Sequence, residues 1–121
     1  MILNHKESFY SMFYILDEVY QNENSDDLGA ILGIMNPELL VDHEIVDSAI
    51  YDDWKEFIRN KLVNSKNLIN LVEEFITKYA SDFGFDISCS MELLKTNVDQ
   101  EKILQCIQRG CDLVKKIENK W

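Results

Sequence analysis

The sequence predicts an all-α protein, a compact single-domain bundle of five or six helices. Three observations lead to this reading. The chain has 121 residues, the usual size of one domain with one core, so a second core has no room. Apolar residues make up 46% and charged residues 28%, the balance of a globular chain rather than a disordered one. Only four Gly and one Pro occur, fewer than the tight turns of a sandwich or barrel require. Residues 1–121 therefore read as one helical domain whose folding needs neither metal nor disulfide.

The first helix is expected over His5 to Gln21, where Phe9, Met12, Phe13, Leu16, Val19 and Tyr20 recur every three or four residues and make one apolar stripe. Asn22-Glu23-Asn24-Ser25 breaks the pattern. Ser25 then serves as N-cap for a helix from Asp26 to Met35, with Asp26 and Asp27 at its positive end. Gly29 and Gly33 share a face, which lets another helix approach closely. Asn36-Pro37 ends that helix, and residues 38–46 read as a linker. Asp47 or Ser48 caps a third helix, from Ala49 to about Val63, with Ile50, Trp54, Phe57, Ile58 and Leu62 inside and Asp52, Asp53 and Glu56 outside.

Beyond a turn at Asn64-Ser65, Leu68, Leu71, Val72, Phe75, Ile76 and Tyr79 mark the clearest amphipathic helix, Lys66 to Phe83. Gly84 stops it, and residues 82–86 read as a turn whose aromatic side chains anchor back on the core. The alternation over residues 85–91 is strand-like, but a lone strand has nothing to pair with. It is read as an extended connection into a short helix at about Ser90 to Lys95. The last helix begins at Asp99, with Ile103, Leu104, Ile107, Cys111, Val114 and Ile117 inside and Lys115, Lys116 and Lys120 at its negative end.

The net charge of −10 is unevenly placed: residues 1–60 hold 13 acidic and 3 basic side chains, residues 61–121 hold 9 of each. Such a field repels nucleic acid and anionic membranes and speeds encounter with a basic partner. No run approaches the roughly 20 apolar residues of a membrane span, and polar residues from Asn4 onward leave no signal-peptide core. The expected location is cytoplasmic. The two histidines, His5 and His43, have no ligand partners at helical spacing, and no calcium-loop pattern occurs. Cys89, Cys106 and Cys111 lack a Cys-x-x-Cys spacing and read as buried or incidental thiols. No cofactor, no metal and no catalytic residue are expected.

The sequence's candidate for binding is the segment Asp42 to Glu56, in which carboxylates surround Tyr51 and Trp54. Aromatic side chains supply the anchors of many interfaces, and acids around them orient a basic partner. Two readings stand for this segment: Trp54 is core and Tyr51 half buried, or Trp54 faces the core while Tyr51 and the acids face out.

The segment Ser25-Asp26-Asp27-Leu28-Gly29-Ala30-Ile31-Leu32-Gly33, followed by Asp52-Asp53-Trp54-Lys55-Glu56-Phe57, resembles small bacterial immunity proteins of contact-dependent growth inhibition and related polymorphic toxin systems. The aromatic stretch Phe9 to Tyr20 is also similar, and the resemblance spans about half the chain. It implies a cytosolic protein that binds the toxic C-terminal domain of a delivered effector, often a nuclease with a basic groove, and blocks it stoichiometrically. Candidate contacts are Asp42, Glu44, Asp47, Asp52, Asp53 and Glu56, with Tyr51 as aromatic anchor and Asp26 and Asp27 as further choices. The alternatives are a helical adaptor for another cytosolic protein and a small enzyme using carboxylates and a divalent cation.

Overall fold

A computed structural model describes residues 2–35 and 49–118. Within them lie six helices and one pair of two-residue strands: β1 (Ile2–Leu3), α1 (His5–Glu23), α2 (Asp26–Met35), α3 (Ala49–Ile58), β2 (Val63–Asn64), α4 (Leu68–Phe83), α5 (Ser88–Asn97) and α6 (Gln100–Glu118). The all-α bundle expected from the sequence is the observed one. The expected linker and its cap, with Asp42, His43, Glu44 and Asp47, fall outside the described residues.

Helix α1 is the centre of the bundle. It packs along α6 and touches α2, α3, α4 and α5. Residues Ser8 to Met12 are all buried, so this stretch of α1 has no solvated face. Two serines make that possible, because each hydroxyl is satisfied locally: Ser8 Oγ donates to the His5 carbonyl at 3.2 Å and Ser11 Oγ to the Glu7 carbonyl at 2.7 Å. The helix starts with a capping box, Asn4 accepting from the Glu7 amide at 2.8 Å and Glu7 accepting from the Asn4 amide at 2.9 Å.

The close helix approach occurs on α6, not on the predicted glycine pair. A Cβ on Gly110 would lie 2.7 Å from the amide nitrogen and Oγ of Ser11, so α1 and α6 meet where both side chains are smallest. On α2, Gly29 faces the Tyr20 ring, whereas nothing lies within 4 Å of a Cβ built on Gly33. The two glycines therefore do not form a shared packing face.

Local chemistry sets the helix ends. Ser25 Oγ accepts from the Leu28 amide at 3.3 Å, capping α2 as its sequence predicts, and Asp99, expected as the first residue of the last helix, caps α6 instead, its Oδ1 accepting from the Lys102 amide at 2.9 Å. Gly84, at φ 77°, ends α4 in the left-handed region. Helix α3 stops at Ile58, earlier than expected. Asn64 Oδ1 accepts from the amides of Lys66 and Asn67 at 2.9 and 3.1 Å, and Asn67 Oδ1 accepts from the Asn64 amide at 2.8 Å. These side chains hold the turn between β2 and α4, while α3 itself ends in tighter backbone turns, Arg59 N–H donating to the Glu56 carbonyl at 3.3 Å and Lys61 N–H to the Ile58 carbonyl at 2.9 Å. Val63 then pairs with Leu3 in the antiparallel β1–β2 bridge.

Three apolar side chains placed inside by the sequence pattern are exposed. Leu62, 70% exposed, lies past the end of α3 and off its stripe. Leu104 is outside because the buried stripe of α6 runs through Ile103, Cys106, Ile107, Gly110, Cys111 and Val114. Phe83, 62% exposed, is left at the tip of α4, and Phe85 rather than Phe83 packs back against the core. The strand-like stretch at residues 85–91 runs into α5, which begins at Ser88. An ion pair of 2.6 Å from Lys95 to Glu73 ties α5 to α4.

Candidate partner-binding face

Helix α3 carries its apolar residues Ile50, Tyr51, Trp54 and Ile58 inward, at the one-, three- and four-residue steps of a single helical face. Trp54 is fully buried; its indole Nε1–H donates to Ser8 Oγ at 3.0 Å, and its ring meets Phe75 edge-on at 5.1 Å. This interlock fixes the helix to α1 and α4. The opposite face presents Asp52, Asp53 and Glu56, all exposed.

Tyr51 does not join them. It is 8% exposed, packs edge-on against Phe9 at 5.1 Å, and hydrogen-bonds His5 Nδ1 through its hydroxyl. The expected outward anchor is therefore a core residue, because Tyr51 lies three residues before Trp54 and seven before Ile58 on the same stripe. Burial, with Asp52 second, pushes the Tyr51 phenol up to about 12. His5 is held below its ordinary value by partial burial and then by Lys55 and Lys6, so its ring is neutral at pH 7.

The carboxylates divide between two clefts. One, of about 500 Å³, mixes Asp52 and Glu56 with His5, Lys55, Arg59 and Lys61. Glu56 pairs with Arg59 at 3.4 Å, both exposed, so this side is locally neutralised. The other, of about 260 Å³ between α3 and α4, is lined by Asp53, Glu56, Phe57, Phe75, Lys78, Tyr79, Asp82 and Phe83. Its rings form a ladder leading out of the core: Phe57 to Phe75 at 5.5 Å, Phe75 to Tyr79 at 6.2 Å, Tyr79 to Phe83 at 4.6 Å. Burial and the nearby Asp53 raise the Tyr79 phenol. Among the described residues, no cation lies within 4 Å of the Asp53 or Asp82 carboxylates.

Of the other predicted contacts, Asp26 is exposed at the start of α2. Asp27 is bound up in the fold, its Oδ2 accepting from the Asp86 amide at 2.7 Å and holding the turn after α4. Asp42, Glu44 and Asp47 fall outside the described residues. Sequence reasoning missed Asp82 and Phe83; the signal was the four-residue spacing of Phe75, Tyr79 and Phe83, which reads equally as core.

Two of the thiols are unlike nucleophiles. Cys106 and Cys111 are buried and both are raised chiefly by burial, Cys106 to about 11. Among the described residues there is no cluster of three His, Cys, Asp or Glu that would hold a metal ion, and no helix is long and apolar enough to cross a membrane. Comparison with protein-family models, with curated proteins and with solved structures finds no match for this chain.

Proposed function

We propose that this chain is a cytoplasmic immunity protein that binds the toxic C-terminal domain of a cognate secreted effector and neutralises it by stoichiometric occlusion, without catalysis. The observation that carries the reading is the outward row Asp52, Asp53 and Glu56 on a helix whose other face is locked into the core by Trp54 and Tyr51. Carboxylates held on a rigid helix keep their spacing before the partner arrives, which lowers the ordering cost of binding. The resemblance of residues 52–57 and 25–33 to immunity proteins supplies the partner class. If the toxin is a nuclease, these carboxylates stand where substrate phosphates would meet its basic groove. Its partner is then a protein, with neither nucleic acid nor membrane bound directly.

The test is co-expression with the C-terminal domain of any effector encoded directly upstream. Cells carrying both genes survive, and cells carrying the toxin domain alone do not. Death in both cases refutes the immunity reading and favours an adaptor for another protein.

A further inference from the structure

The aromatic cleft between α3 and α4 has a size and a lining that choose its occupant. At about 260 Å³ it falls below the roughly 300–1,000 Å³ of small-molecule sites, which suits one long side chain better than a metabolite. Its wall is aromatic, and with Glu56 paired to Arg59 its rim leaves Asp53 and Asp82 beside the one lining cation, Lys78. The fold covers two half-buried rings with its own cations: Arg109 lies 4.1 Å from the Tyr14 centroid, and Lys61 4.6 Å from that of Phe57 on the wall of this cleft. Among the described residues, Tyr79 and Phe83 have no such cover, although Phe83 is 62% exposed. An apolar ring left open beside unpaired carboxylates is complementary to a planar, weakly hydrated cation.

We infer that this cleft seats an arginine side chain of the partner protein, its guanidinium over the Tyr79 and Phe83 rings and its charge met by Asp53 and Asp82. The inference rests on the reading that this face binds a protein partner, and not on that partner being a toxin. Arginine is preferred to lysine because its flat guanidinium stacks on a ring while its edge donates hydrogen bonds to carboxylates. Lys78 is the competing internal cation.

The full chain, isotopically labelled, is titrated with acetyl-Gly-Arg-Gly-amide and with the isosteric citrulline peptide, and its amide resonances are followed by NMR. The expected result is saturable, millimolar binding of the arginine peptide with shifts centred on Asp53, Tyr79, Asp82 and Phe83, and a clearly weaker response to citrulline. Asp53→Asn with Asp82→Asn weakens binding about fivefold, and Phe83→Ala weakens it with the fold intact, because Phe83 is exposed. Lys78→Gln strengthens it. Equal responses to the two peptides, shifts centred elsewhere, or no shifts overturn the inference. Arginine binding without rescue from a toxin overturns the immunity reading alone, and rescue without arginine binding overturns the cleft alone.

Discussion

Alanine in place of glycine at two helical positions gives opposite signs if α1 and α6 meet as described. At Gly33 a methyl meets nothing within 4 Å, so Gly33→Ala gains only from reduced backbone freedom in the unfolded chain, about 0.5–1 kcal/mol. At Gly110 the same gain is opposed by a Cβ 2.7 Å from the Ser11 amide nitrogen and 3.1 Å from its Cα. Those are backbone atoms at the middle of the bundle, and they cannot rotate away. Overpacking of this kind costs about 1–3 kcal/mol, which leaves a net loss of about 1 kcal/mol for Gly110→Ala. The two variants then differ by about 2 kcal/mol, or roughly 6–10 °C in Tm for a domain of this size. Gly29→Ala meets only the Tyr20 ring, at 3.0 Å, and falls between them. Thermal and urea unfolding followed by circular dichroism measure all three. If Gly110→Ala proves as stable as Gly33→Ala, the α1–α6 contact is not the tight one described.

Ser8→Ala strands the buried Trp54 indole N–H that now donates at 3.0 Å and costs about 1–3 kcal/mol, whereas Ser11→Ala loses only a bond to its own helix's carbonyl and costs about 1 kcal/mol or less; urea unfolding separates them. Of the three cysteines, Cys89 is exposed and Cys106 and Cys111 buried, so a thiol reagent titrates one group rapidly in the native protein and all three after denaturation. Rapid native reaction of a second thiol would contradict the packing of α6. His5 has a folded-state value below its ordinary 6.5. The unfolded chain therefore takes up the proton first as pH falls, and its contribution to stability is present above about 6.5, declines below it, and levels off below the folded value. His5→Gln flattens the stability profile between pH 7.5 and 6, and an unchanged slope would show that His5 does not titrate differently on folding.

Much of this architecture can be read from the chain because it depends on local signals. The apolar period of residues 68–83, the caps at Ser25 and Asp99 and the stop at Gly84 each act within a few residues of themselves. What the pattern misses depends on distant partners. Leu3 pairs with Val63 across the chain, and Asn64 and Asn67 shape the turn into α4 by side-chain bonds whose geometry no periodicity encodes. Gly110 looks incidental until Ser11 is placed against it. At the candidate face, the outward positions of Asp52, Asp53 and Glu56 follow from the inward positions of Ile50, Trp54 and Ile58. Tyr51 shares that inward stripe, and its place beside acids in the sequence concealed this. Asp82 and Phe83 belong to the half of the chain with balanced charge, so counting along the sequence pointed away from them; only folding brings α4 alongside α3.

This protein is proposed to act by binding a toxin domain. Isothermal titration of the purified chain with the catalytically disabled C-terminal domain of any effector encoded directly upstream puts this to the test. A saturable, equimolar complex of nanomolar affinity or tighter is expected, weakened by added salt as the carboxylates of α3 are screened. Absence of any complex at micromolar concentrations of both proteins would contradict it.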